Sequence, residues 1–141
     1  MVLVQIIDDA QFMKFMLKKL VDKTGYEVLT TRELDDALND FKEGNPNVVI
    51  YDLVSEEESN LSALRKIVEH NNTLDTKSKI ICITTVGKDN LMEEAKNLGV
   101  SMFIGKPYDD TGVIDFIKEV GGGVISSEPS PQKETETVVN N

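Results

Sequence analysis

Five short runs rich in apolar residues recur along the chain, and a stretch with apolar side chains at helical spacing follows each one. The runs are Val2–Ile7, Tyr26–Thr31, Val48–Tyr51, Ile80–Ile83 and Ser101–Ile104. Val48–Tyr51 and Ile80–Ile83 carry no polar alternation, which a strand with one wet face would show. Strands of that kind are buried on both faces, and this requires helices above and below a parallel sheet. Five strands alternating with five helices therefore predict an α/β sandwich.

The helical stretches are amphipathic. Between Ala10 and Lys23, residues Phe12, Met13, Met16, Leu17, Leu20 and Val21 form the expected core stripe, with Lys14, Lys18 and Lys19 on the opposite face. Leu34, Ala37, Leu38 and Phe41 mark a second helix over Glu33–Glu43, closed by Gly44, Asn45 and Pro46. Leu61, Leu64, Ile67 and Val68 mark the third, Leu91–Leu98 the fourth, and Val113–Val120 the fifth. Gln5 is the odd polar residue in the first strand and needs a hydrogen-bond partner if buried.

At 141 residues the chain suffices for one domain with a full core. Fifteen Lys and Arg stand against 25 Asp and Glu, a formal charge of −10 that works against binding a nucleic-acid backbone. The single cysteine, Cys82, excludes an intrachain disulfide or a CxxC metal site and reads as a buried small hydrophobe. His70, the single histidine, reads as a surface or helix-end residue. No run reaches the roughly 18 apolar residues of a membrane span, and the N-terminus lacks a signal-peptide layout. A cytoplasmic location with no membrane partner is expected. After Val120 the composition turns to Gly, Ser, Pro, Thr and Glu, so residues 1–120 are expected to form the domain and 121–141 a disordered polar tail.

In parallel α/β folds ligands bind at the carboxyl ends of the strands. The first strand ends in Asp8-Asp9, the third in Asp52, the fourth in Thr84-Thr85, and the fifth runs through Phe103 to Lys106-Pro107. Parallel strands would bring these groups to one end of the sheet, as three carboxylates, a hydroxyl and an ammonium. Clustered carboxylates repel one another, and a hard divalent cation such as Mg²⁺ relieves that cost. A carboxylate beside such an ion can attack phosphorus to give an aspartyl phosphate, with Lys106 and Thr84 taking phosphoryl oxygens. Singly, each residue has a plainer role: Asp8-Asp9 could cap a helix, Thr84 could end a turn, and Lys106 could be a solvated charge. Their joint occurrence at consecutive strand ends favours the chemistry.

On these residues the chain resembles the receiver domain of two-component response regulators, over about Val2 to Val120. The stretch "DDAQFMKFMLKKL" followed by "GYEV" looks especially like the single-domain, CheY-like chemotaxis type. The resemblance implies a flavodoxin-like (βα)5 fold with a five-stranded parallel sheet in the order 2-1-3-4-5. It implies Asp52 as phosphoacceptor, Asp9 as a direct Mg²⁺ ligand, Asp8 as its support, and the Val54 backbone carbonyl as a further ligand. Thr84 would bind the phosphoryl group, Lys106 would pair with Asp52, Pro107 would follow a cis peptide, and Phe103 would be an aromatic switch. The implied partners are a sensor histidine kinase, a downstream target such as a flagellar motor switch component, and a phosphatase. The output face would be the fourth helix, fifth strand and fifth helix, on a monomer that is no enzyme beyond its own phosphorylation and dephosphorylation.

The sequence departs from that family in three places. Ser55-Glu56 follows the acceptor strand where a Met-Pro pair and a nearby Gly are usual; Thr85 replaces a small residue; Gln5 replaces an aliphatic one. Rival readings are a phosphorelay intermediate, a pseudo-receiver regulated only by binding, an aspartyl-phosphate phosphatase and a flavin-binding protein. The phosphatase lacks its second Asp, since Val54 stands there, and Asp8-Asp9 would repel a flavin phosphate.

Overall fold

The structure is a computed structural model, and it describes residues 1–54 and 57–122. The tail was expected from 121, but Gly121 and Gly122 still belong to the last helix, which runs from Asp110 to Gly122; the rest of that stretch, residues 123–141, and the residues Ser55 and Glu56 lie outside the described residues. The elements alternate as β1 (Leu3–Ile7), α1 (Gln11–Asp22), β2 (Glu27–Thr30), α2 (Ala37–Gly44), β3 (Val48–Asp52), α3 (Glu58–Asn71), β4 (Lys79–Thr85), α4 (Asp89–Leu98), β5 (Met102–Lys106) and α5 (Asp110–Gly122). A short 3-10 turn, Leu34–Asp36, leads into α2. All strand pairs are parallel and the order is β2-β1-β3-β4-β5, as the resemblance implied.

Strand residues point alternately to two layers. Ile7, Val49, Tyr51, Leu53, Cys82 and Phe103 pack with Phe41 of α2, Leu64 and Ile67 of α3, and Ala95 of α4. Val4, Ile6, Ile50, Ile81, Ile83 and Ile104 pack on the other side with Leu17 and Val21 of α1 and Val113 and Ile117 of α5. Every residue of β3 is buried, because this central strand has neighbours on both edges and both faces. Helix ends follow the expected chemistry. Asn45 (φ 48°) and Gly99 (φ 112°) cap α2 and α4 in the left-handed region that closes helices.

One face assignment is corrected. In α1 it is Lys14 that is buried, at 5 % exposure, while Phe12, Phe15 and Met16 are 69, 56 and 40 % exposed. At about 100° per residue, Lys14 falls within about 60° of Leu17, on the core side, and Phe12 about 140° away. The sequence of α1 thus holds two apolar stripes, and the sheet takes the one built on Leu17, Leu20 and Val21. The Lys14 ammonium crosses the sheet edge and donates to the Thr31 and Arg32 carbonyls at 2.7 and 3.0 Å. Those bonds compensate its loss of water.

Gln5 finds its partners nearby. Its Nε2 donates to Thr31 Oγ1 at 2.8 Å and to the Ala37 carbonyl at 3.2 Å, and the Thr31 hydroxyl donates to Asp40 Oδ2 at 3.0 Å. This buried chain ties the end of β2 to the start of α2. Cys82 is fully buried as expected, and His70 lies near the end of α3, edge-on to Phe41 with ring centroids 5.9 Å apart. Among the described residues no helix is long and apolar enough to cross a membrane.

Candidate functional site

The carboxyl ends of β1, β3, β4 and β5 lie side by side, and the register fixes which residues meet. Asp52 pairs with Ile83 across β3 and β4, while Thr84 and Thr85 pair with Gly105 and Lys106 across β4 and β5. Both β4 and β5 run two residues farther than the apolar runs suggested. Thr84 and Lys106 are therefore held by ladder hydrogen bonds, not carried in loops. The Val86 N–H donates to the Lys106 carbonyl at 2.9 Å and prolongs that ladder.

Asp52 is 2 % exposed. The Lys106 Nζ stands 3.0 Å from its Oδ1 and donates a hydrogen bond to its Oδ2 at 3.2 Å. The Lys106 side chain keeps 23 % of its surface, so the pair sits at the floor of the site with the ammonium toward solvent. The Lys106-Pro107 peptide is cis, as expected. Asp8 is also buried, at 3 % exposure, and its Oδ1 accepts from the Ala10 N–H at 2.9 Å. Burial first, and then the neighbouring Asp52 carboxyl, push the Asp8 pKa up to about 7.

Two carboxylates cannot donate to each other. Asp8 and Asp52 therefore need a shared proton or a cation between them, and Asp8 Oδ2 has no hydrogen-bond partner in the folded chain. Asp9 is exposed on the solvent side of this pair. Among the described residues no three carboxylate, imidazole or thiol groups form a ready-made metal cage. The donor set of Asp8, Asp9 and Asp52 is nonetheless all hard oxygen, and with these carboxylates ionised Lys106 leaves it two positive charges short of balance. That suits a cation which keeps several of its own waters.

Thr84 is 2 % exposed and adjoins Lys106 through the sheet register. Thr85 and Val54 are exposed at the rim. Phe103 lies inside, 6 % exposed, in the layer of α2, α3 and α4. Sequence reasoning passed over Tyr108, which follows the cis proline. Tyr108 is partly buried against the layer of α1 and α5, and burial first, then the Asp52, Asp110 and Asp8 charges, push its phenol pKa up. Sequence reasoning also passed over Tyr51, counted only as part of an apolar run. The signal was present, as an aromatic hydroxyl inside an aliphatic strand directly before Asp52.

Residues 4–118 match the response regulator receiver domain. The chain is 32 % identical over 118 residues to the chemotaxis protein CheY of Thermotoga maritima, covering 83 % of this chain and 95 % of that protein. It is 30 % identical over 115 residues to the chemotaxis protein CheY of Bacillus subtilis, covering 81 % and 92 %. The crystal structure of the Vibrio cholerae chemotaxis protein CheY4 superposes with a TM-score of 0.71 at 21 % identity, over 85 % of this chain and 98 % of that one.

Proposed function

Because the chain belongs to the response regulator receiver domain family, we propose that Asp52 accepts a phosphoryl group from the phosphohistidine of a sensor kinase in the presence of Mg²⁺, and that the signal leaves by protein contact. The observation that carries this reading is the Lys106–Asp52 pair beside a second buried carboxyl, Asp8. A structural ion pair has no need of that extra acid. An Asp52 oxygen attacks phosphorus as the P–N bond of the donor breaks, and the departing imidazole takes up the electron pair and a proton. Lys106 and the Thr84 hydroxyl then neutralise and bind phosphoryl oxygens. Asp8, Asp9, Asp52 and the Val54 carbonyl would hold Mg²⁺, whose charge lowers the cost of bringing a phosphoryl group to an acidic site.

Transmission by protein contact is supported by the distribution of exposed apolar side chains. Apart from Met1, the large ones among the described residues are Phe12, Phe15, Met16, Val54 and Val86. All five lie on the first half of α1 or in the connections after β3 and β4, at the Asp52 end of the sheet. Two relatives named for chemotaxis make motility control, through a component such as the flagellar motor switch, the setting we favour. The chain acts on no other substrate in this reading.

The test is incubation with Mg²⁺ and acetyl phosphate followed by intact mass measurement. One added phosphoryl group in the wild type and none in Asp52→Asn is expected. No gain, or a gain that persists in the variant, would reject Asp52 as acceptor.

A further inference from the structure

The helix α1 turns three large apolar side chains to solvent. At about 100° per residue, Phe12, Phe15, Met16, Lys19 and Lys23 fall within an arc of about 100°. That arc is opposite Leu17, Leu20 and Val21, which face the sheet. Phe12, Phe15 and Met16 belong to neither core layer. A scattered apolar residue on a surface is ordinary, but three on adjacent turns of one helix form a ridge. Among the described residues, none of the exposed large apolar side chains lies on α4, β5 or α5. Phenylalanine and methionine are enriched at the centres of protein contacts, with charged side chains at the rim.

The ridge is basic although the chain carries a formal charge of −10. The Lys19 ammonium stands 5.2 Å from the centroid of the Phe15 ring, so cation and aromatic face form one surface. Among the described residues neither Lys19 nor Lys23 has a carboxylate within ion-pair distance, whereas Lys18 is paired with Asp22 at 3.1 Å. Such a surface complements an apolar stripe flanked by carboxylates, which an amphipathic helix supplies. Two copies of the ridge would bring like charges together, and the charge of the whole chain opposes an anionic bilayer.

The opposite face of α1 is fixed. Leu17, Leu20 and Val21 pack on the sheet, and the Lys14 ammonium ends on the Thr31 and Arg32 carbonyls. These anchors involve none of Asp52, Thr84 and Lys106, so a change of partner at Lys106 leaves the ridge where it is.

We propose that the outer face of α1, Phe12, Phe15 and Met16 rimmed by Lys19 and Lys23, docks an acidic amphipathic helix of a partner protein, with an affinity that does not depend on phosphorylation of Asp52. On the protein-contact reading given above, on which this rests, α1 is the constant part of the contact. Val54 and Val86 border the site that changes.

The probes are two peptides of about 20 residues, long enough to hold a helix. Both carry one Leu stripe, flanked by Glu in the first and by Lys in the second. Each is titrated into the full chain and followed by backbone amide NMR shifts, before and after treatment with acetyl phosphate and Mg²⁺. Overall charge favours the Lys peptide, whereas the ridge favours the Glu peptide. The Glu peptide is expected to bind about tenfold more tightly, and Phe15→Ser to weaken it about tenfold. Its shifts should centre on residues 11–23, and Lys19→Glu should reverse the preference. Both positions are exposed, so neither variant disturbs the core. Equal binding of the two peptides, preference for the Lys peptide, shifts centred on α4, β5 and α5, or an affinity that changes with phosphorylation would overturn the proposal. Binding of phosphatidylglycerol vesicles, or self-association lost in Phe15→Ser, would overturn it too. A wild type that acetyl phosphate leaves unmodified counts against Asp52 as acceptor instead, and the titration without acetyl phosphate still decides the docking ridge.

Discussion

Among the described residues two lysine side chains leave water, and they do so against different partners. Lys14 is 5 % exposed and its ammonium ends on the Thr31 and Arg32 carbonyls, neutral acceptors supplied by the backbone. Lys106 retains 23 % of its side-chain surface and ends on the Asp52 carboxylate, with Asp8 buried nearby. A charge on fixed carbonyls has one arrangement and holds α1 against the edge of the sheet. A charge on a carboxylate can exchange that partner for any anion that arrives. The first lysine is a fastening, and the second, on the function proposed above, is half of a reaction site.

The sharpest way to break this distinction is to remove each charge with little change of shape. Lys106→Met is expected to slow phosphorylation by acetyl phosphate about 100-fold, the scale of losing one preorganised charge. Its Tm should change little, because Asp8 and Asp52 can share a proton when no cation is present. Mass-resolved kinetics and thermal unfolding together check this. Lys14→Met should do the reverse. Leaving the Thr31 and Arg32 carbonyls without their donor costs about 1–2 kcal/mol, or a Tm lower by about 5 °C, with phosphorylation rates unchanged. A variant that altered both quantities alike would dissolve the comparison.

Proton linkage sharpens it further. Asp8 has an ordinary value of 3.8 and about 7 in the folded chain. Between those values the folded chain keeps a proton that the unfolded chain has released, so this group's contribution to stability falls as pH rises from about 4 to about 7. Unfolding midpoints measured from pH 4 to 8 should therefore fall more steeply in the wild type than in Asp8→Asn. Mg²⁺ should raise the wild-type midpoint more at pH 8 than at pH 5, since it replaces that proton.

The smallest expected effect concerns water at the Lys106 side. Thr85 is exposed and paired in register with Lys106, so on the acceptor reading proposed above its bulk is expected to hinder an attacking water. Thr85→Ala should shorten the phosphoryl half-life by a factor of about 3, through easier water access. An unchanged half-life in a decay followed by intact mass would remove Thr85 from the account.

Most of the sheet was legible because burial on both faces writes itself as uninterrupted apolar sequence, as in Val48–Tyr51 and Ile80–Ile83. The strand ends were legible because their polar residues interrupt those runs. What escaped was direction. Lys14 and Phe12 each fit an amphipathic helix, and only the position of the Thr31 carbonyl at the sheet edge decides which of them turns inward. The extra residues of β4 and β5 escaped for a related reason. Thr84, Thr85, Gly105 and Lys106 join the ladder through backbone groups, which have no signature in side-chain polarity. The unequal burial of Asp8 and Asp9 likewise depends on how the chain leaves β1, set by the bond from Ala10 N–H to Asp8 Oδ1.

Cys82 occupies the centre of β4, fully buried, and burial keeps its thiol protonated. A disulfide-exchange reagent can therefore reach that sulfur only when the sheet itself opens. The wild-type chain carries a built-in clock for its own global opening, readable from the rate of thiol modification. A cysteine introduced at Phe12 or Val86 would take a fluorescent label without competition from the native thiol, so docking at the Asp52 end can be followed in an otherwise unaltered protein.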